Sequence, residues 1–236
     1  MPQFTMKNIA ACAYSAGARG LFCLFFGALT ACSALKVQPR PVVYDFGPGA
    51  VAPAPVVASS TAALPALVLA EVDAPVALES GAVLYRLAYA DSQQLRPYAQ
   101  ARWSMPPAQL FRQRLREQLG LRRAVLNPTQ GVLAPPPVMT LHIELEEFSQ
   151  LFETADHSSG LLRLRATLGQ GAFAGQQLVA QRSFVVQRPA SGADAAAGVR
   201  ALTAAVDAVI QELDQWVERT QATAGTGLVP EPQGRK

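Results

Sequence analysis

Histidine occurs only twice in the 236 residues, and cysteine three times. The chain has no Cys/His set at metal-binding spacing. It also has no phosphate-cradling glycine loop of the P-loop type and no nucleophile elbow. ATP hydrolysis linked to this protein would therefore fall to another subunit. No run is long enough for a spanning helix: Leu21 to Ala31 gives eleven uncharged residues, where a bilayer crossing needs about 20. Acidic residues are missing from the first 44 positions, Asp45 being the first.

That short run has another use. Lys7 and Arg19 precede it, so it has the positive flank and the roughly 7–15-residue apolar centre of a secretory signal. Met6 offers an alternative start to Met1. The run ends in Leu29-Thr30-Ala31-Cys32, which resembles a bacterial lipobox. A lipobox implies cleavage before Cys32 and acylation of its thiol and new amino terminus. Two or more acyl chains anchor stably, where one binds only marginally. Ser33 in place of aspartate favours the outer membrane. An ordinary signal cut near Ala31 is the alternative.

Residues 1–31 are therefore expected to leave as a signal peptide, taking Cys12 and Cys23 with them. The remaining 205 residues (236 − 31) suit one domain plus tails. With Lys7 and Arg19 gone, 18 basic residues face 17 acidic ones, a net of +1. Nothing in that balance points to nucleic acid. With Cys32 alone, no disulfide framework is available, so stability must come from burial.

Residues 32–65 hold prolines 39, 41, 48, 53, 55 and 65 among Ala, Val and Gly. They read as a lipidated, extended tether, reaching about 3 Å per residue where polyproline-like. Val42 to Phe46 has the alternative of a short strand or docking segment. A folded domain is expected over 66–221, and a disordered tail over 222–236.

Within the domain, LVLAEV (67–72) and AVLYRLAY (82–89) read as strands. Ser104 is a candidate cap, with Pro106 and Pro107 in the first turn and Gly120 as the stop. Leu110/Phe111, Leu115 and Leu119 then recur at helical spacing. Arg122 to Leu126 is a further short strand. Met139, Leu141, Ile143 and Leu145 alternate with polar residues, as do Leu162, Leu164, Ala166 and Leu168, a period of two with one wet face. Antiparallel pairing of Leu145 with Leu164 sets Glu144 against Arg165 and Glu146 against Arg163. Residues 178–186 extend the meander. A helix from near Ala193 or Asp194 carries the stripe Val199, Leu202, Val206, Val209/Ile210, Leu213 and Trp216/Val217. The order predicts a two-layer α+β domain: a mostly antiparallel sheet of about 4–6 strands packed by two amphipathic helices.

Candidate chemistry is sparse. His142 falls on a wet strand face. Asp156, His157, Ser158 and Ser159 share the type of residue used in a Ser-His-Asp site, but sequence neighbours cannot all converge on one atom; a polar hairpin loop accounts for them. Glu144, Glu146 and Glu147 read as strand-pairing charges. Trp103 and Trp216 are either core aromatics or partner contacts in a groove.

Taken in order, these elements resemble the ABC-type transport auxiliary lipoprotein family, which includes the paraquat-inducible-type lipoproteins. The resemblance runs through the lipobox, YDFGP (44–48), APVALESGAVLYRLAYADSQQLRPYAQARWSMPP (74–107), LHIELEEFSQLF (141–152) and DAAAGVRALTAAVDAVIQELDQWV (194–217). It implies a lipoprotein without enzymatic activity or cofactor, lipidated at Cys32, held at the outer membrane and facing the periplasm. The implied partners are an MCE-domain protein and the permease and ATPase subunits of an ABC transporter that moves lipids between membranes. The membrane, through the lipid anchor, and further copies of the chain complete the set. An envelope-assembly or cell-wall-synthase-activating lipoprotein is the alternative function.

Overall fold

One strand organises the sheet. The structure, a computed structural model, describes residues 40–49, 64–131, 138–171 and 176–226. Its strands are β1 (Val42–Tyr44), β2 (Leu64–Asp73), β3 (Ala82–Leu87), β4 (Ser92–Trp103), β5 (Arg123–Leu126), β6 (Met139–Phe152), β7 (Ser158–Gln170) and β8 (Gln177–Pro189). Its helices are α1 (Val76–Glu79), α2 (Ala88–Asp91), α3 (Pro107–Gly120), α4 (Pro128–Gly131) and α5 (Ala195–Thr226). β6 takes β7 along one whole edge, antiparallel. Its other edge is shared in parallel by β2 along the first half and β3 along the last. β2 and β3 thus form one lane, interrupted by the excursion that carries α1. β5 flanks β2, β4 flanks β3 and β1 flanks β4, while β8 pairs β7.

The α+β class is as expected; the sheet is not. Among the described residues it has eight strands, and four of their seven ladders are parallel: β1–β4, β2–β5, β2–β6 and β3–β6. β4 is absent from the sequence reading, and β1 stood there only as the strand alternative to a tether. β4 is mostly exposed and carries Pro97, so it lacks the alternation that marks a half-buried strand. Its neighbours β3 and β1 make it a strand.

The predicted hairpin register holds as far as a bulge. Leu145 pairs Leu164 and Glu144 pairs Arg165, but the ladder slips so that Glu147, not Glu146, stands opposite Arg163. The sequence explains the slip. Apolar residues occupy odd positions up to Leu145 and then even ones, Phe148 and Phe152. One extra residue in the strand returns those even positions to the core face, and Phe148 and Phe152 are indeed buried. Charge pairing survives the slip, because Glu146 reaches both Arg165 at 2.6 Å and Arg163 at 3.4 Å.

Both long helices bury the stripes read from the sequence. α3 puts Leu110, Phe111, Leu115 and Leu119 into the core, each contributing roughly 1.5–3 kcal/mol of apolar burial. Ser104 does not cap it: Pro106 is the N-cap and no side chain bonds there. α5 is capped by Asp194, whose Oδ1 accepts the Ala197 N–H at 2.7 Å. Its stripe from Val199 to Val217 is buried. The helix runs to Thr226, past the 222 at which a disordered tail was expected. Residues 227–236 lie outside the described residues.

Glycine sets the distance between helix and sheet. A Cβ on Gly160 in β7 would stand 2.5 Å from the Leu202 amide nitrogen and 2.6 Å from the Ala201 carbonyl carbon. The α5 backbone therefore rests directly on that strand.

Candidate functional site

The N-terminal segment enters the fold at a site built around YDFGP. β1 adds in parallel to β4, with Val42 opposite Ala101 and Tyr44 opposite Trp103. The Ser104 N–H donates to the Tyr44 carbonyl at 2.7 Å. Phe46 then turns into the core and is 7% exposed. Its ring meets Trp103 edge-on at 5.5 Å and Phe148 at 5.9 Å, a three-ring cluster closed by Trp103–Phe148 at 5.6 Å. Gly47 and Gly49 hold φ of 69° and 73°, a region that a side chain resists. The Asp45 carboxylate fixes the first of these turns by accepting the Gly47 N–H at 2.8 Å.

Val42 to Phe46, for which a short strand or docking segment was the alternative to a tether, pairs β4 and reaches the core cluster. Residues 42–46 belong to the domain as a docked strap. Residues 50–63 lie outside the described residues and connect two parts of the same fold, Gly49 and Leu64. Cys32 and the signal segment also lie outside the described residues.

Beside the strap is a cleft of about 220 Å³ lined by Asp45, Gly47, Met105, Gln113, Arg114 and Glu117, among others. Arg114 is buried. It gives Nε and Nη2 to the two oxygens of Asp207 on α5 at 2.9 and 3.2 Å, which joins α3 to α5. Its Nη1 has no partner among the described residues. A second buried cation, Arg123, binds Asp214 at 2.6 Å and Gln221 at 2.7 Å. Burial pushes its pKa down, and the neighbouring Asp214 charge opposes that shift.

The tryptophans of the sequence reading are both core residues. Trp103 is 4% exposed within the strap cluster, and Trp216 is 9% exposed with its ring edge-on to Phe184 at 5.9 Å. Phe46 and Phe148 pack against Trp103, and Phe184 of β8 packs against Trp216.

Among the described residues, Asp156, His157, Ser158 and Ser159 are not joined as a triad. A cleft of about 720 Å³ at the end of the β6–β7 hairpin is lined by Asp156, His157, Ser158 and Ser159. Yet Ser158 Oγ accepts from Gln150 Nε2 at 2.7 Å and donates to the Gly192 carbonyl, while His157 Nδ1 meets Asp156 and Thr154. Nucleophile and base have separate partners, whereas a triad needs them bonded to each other. Glu147 is held by Arg86 through two contacts at 3.1 and 2.9 Å and by Ser149 at 2.6 Å. His142 meets Gln176 at 3.1 Å. Among the described residues there is no group of three or more metal-ligating side chains, and no helix is long and apolar enough to cross a membrane.

A polar chain missed by the sequence reading crosses the sheet near the start of α5. The Tyr98 hydroxyl donates to Gln150 Oε1 at 2.8 Å, and Gln150 passes the chain on to Ser158. Gln150 is fully buried. Only the bulge, which moves even-numbered residues of β6 to the helix face, puts it there. Burial, with Tyr85 and Asp194 nearby, holds the Tyr98 phenol well above its ordinary pKa.

The family model for the ABC-type transport auxiliary lipoprotein component matches residues 44–213, and the chain belongs to that family. The match begins at Tyr44, where the strap joins the sheet. Solved structures share the fold. The protein XCC0632 from Xanthomonas campestris superposes with a TM-score of 0.58 at 21% identity, covering 68% of this chain and 87% of that one. The crystal structure of an uncharacterized protein gives a TM-score of 0.54 at 14% identity, covering 75% and 99%. No curated protein matches the chain. Family membership makes it an auxiliary lipoprotein component associated with ABC-type transport.

Proposed function

We propose that the chain is a non-enzymatic lipoprotein, acylated at Cys32, that docks an ABC/MCE-type lipid transport system at the outer membrane from the periplasmic side. The observation that carries this is the strap. Residues 42–46 lock the segment after the lipobox into the sheet and the aromatic core, at the point where the family match starts. Val42 lies ten residue steps from Cys32 (42 − 32), and covalent geometry limits their reach to about 35 Å. A domain on so short a leash works near its membrane, so its partners must come to it. That suits a docking subunit at the far end of a conduit. Force on the anchor would enter β1 and pass through Phe46 to the core. The chemistry of moving lipid would belong to the MCE-domain, permease and ATPase subunits.

The test is Cys32→Ala with radioactive palmitate labelling and membrane fractionation. Wild type should incorporate label and sediment with the outer membrane; the variant should remain an unlabelled precursor. Equal labelling of the two would end the proposal. Crosslinking and pull-down of the lipidated protein, read by mass spectrometry, should recover an MCE-domain protein or an ABC permease. Recovery of cell-wall synthases instead would favour the envelope-assembly alternative.

A further inference from the structure

One row of paired residues crosses five strands near the end of the sheet where β6 turns into β7. Arg96 of β4 pairs Tyr85, Tyr85 pairs Gln150, Gln150 pairs Gly160, and Gly160 pairs Arg188 of β8. Directly opposed residues share a face, so the two arginines stand on the face that carries α5, about 19 Å apart at four strand spacings. The first turns of α5 lie over the middle of the row, Gly198 against Gln150 and Leu202 against Gly160. Arg200 on α5 is exposed and donates from Nη2 to Ser191 Oγ at 3.2 Å. Arg96 is held by Gln94, and Arg188 Nη1 donates to the Gln187 carbonyl at 3.3 Å. None of the three has a carboxylate partner among the described residues, whereas Arg86, Arg114, Arg123 and Arg165 each do. The carboxylates of this end are engaged with other donors. Asp91 accepts the Gln93 N–H, Glu153 accepts from Ser159 and Gln187, Asp156 meets Thr154 and His157, and Asp194 caps α5. The chain also enters the sheet from this end. β3 runs parallel to β6 toward the hairpin, β4 runs back antiparallel to β3, and β1 runs parallel to β4. The leash from Cys32 therefore reaches β1 from the hairpin side.

We propose that this end of the domain lies on the membrane surface that holds the anchor, with Arg96, Arg188 and Arg200 on the phosphates of phospholipid headgroups. The proposal rests on the acylation reading for the anchor and adds which surface meets the bilayer and through which side chains. A guanidinium takes two phosphate oxygens at once, and these three give up no ion pair to do so. The end is mixed in charge rather than strongly basic, so the contact is made phosphate by phosphate. It suits phosphatidylethanolamine, whose ammonium group is the counterpart of Glu153 and Asp156 at the exposed hairpin tip. Each contact is weak by itself, but the leash holds the domain within about 35 Å of the headgroups, and tethering turns several weak contacts into a stable one. The opposite end of the sheet faces away. There Leu126 pairs Val68 and Val68 pairs Thr140, twelve residues before Phe152 along β6, or about 40 Å.

Photo-crosslinking of the full chain, reconstituted in vesicles of equal parts phosphatidylethanolamine and phosphatidylglycerol, tests this. Ala155 is exposed at the hairpin tip, and Thr129 is exposed in α4 at the opposite end. Under ultraviolet light, Ala155→p-benzoylphenylalanine should give a phospholipid adduct on the peptide containing position 155. By mass spectrometry that adduct should be at least tenfold more abundant than the one from Thr129→p-benzoylphenylalanine. Arg96→Gln, Arg188→Gln and Arg200→Gln together should cut the 155 adduct at least threefold at an unchanged circular dichroism spectrum. Equal adducts at 155 and 129, an excess at 129, or an unchanged 155 adduct in the triple variant would each overturn the inference. So would a protein adduct in place of lipid at 155, as a partner or a second copy seated there would give. Palmitate labelling keeps the two readings apart. Label without a 155 adduct ends this inference and leaves the anchor standing, and a 155 adduct without label supports the surface and ends the anchor.

Discussion

Replacing Phe46 by alanine should release the strap without unfolding the domain. The ring is nearly buried and makes edge-on contacts with Trp103 and Phe148. Phe→Ala in a core costs about 3–5 kcal/mol. Little else holds the segment: three residues of β1 pair β4, and Val42 and Val43 are exposed. Three residues of edge pairing cannot offset a loss of that size against the roughly 1–2 kcal/mol per residue gained by freeing backbone. The strap should therefore detach locally, and the leash from Cys32 would then run to Leu64. That is 32 residue steps (64 − 32) in place of ten, with a maximal reach of about 110 Å. Hydrogen exchange gives the readout. Protection should fall at least a hundredfold at 42–46 and at Ser104, whose N–H donates to Tyr44, while β6 and β7 stay protected. Trp103 emission should shift to the red. Unchanged exchange at Ser104 would refute the reasoning, because Phe46 would then not be what holds the strap. Uniform loss of protection across β6 and β7 would refute it too, by showing the strap to be inseparable from the core.

Further outcomes follow from the packing. Gly160→Val should destabilise by about 2–3 kcal/mol or more, since the new side chain would collide with the α5 backbone; urea denaturation measures it, and a loss below 0.5 kcal/mol (about the noise of surface changes) would show that α5 moves aside freely. Asp214→Ala strips the buried Arg123 of its counter-charge and should cost about 3–5 kcal/mol, whereas Arg123→Met combined with Asp214→Leu should recover most of that. Thermal unfolding of the three proteins decides between an uncompensated charge and simple loss of packing. Tyr98 titrates above its ordinary value near 10. Its raised pKa stabilises the fold fully below the unfolded value, and that contribution is lost as pH climbs from there through the folded value. Tyr98→Phe should flatten the alkaline loss of stability above pH ~10; identical pH profiles for the two proteins would contradict the burial of the phenol.

Much of the architecture was legible one element at a time. Alternation in 139–145 and 162–168 placed the β6–β7 hairpin and its charge pairs, because a period of two leaves only one register that keeps both faces satisfied. The stripes of α3 and α5 were legible for the same reason at period 3.6. Local pattern also argued for a polar hairpin loop at 156–159, where Ser158 and His157 have separate hydrogen-bond partners. The site was harder. YDFGP could be read as a tether or a strap, since three strand residues carry no period, and the aromatic partners of Phe46 lie at positions 103 and 148.

Sequence by itself determined the side-chain alternation, the helix faces, the lipobox-like tetrapeptide and the order of elements, all of which are properties of neighbours along the chain. Tertiary structure alone decided that β4 is a strand, that four ladders run parallel, that the bulge after Leu145 buries Gln150, and that both tryptophans are core. Each of these depends on contacts between residues tens of positions apart, whose free energy is set by which surfaces meet and carries no local periodic trace.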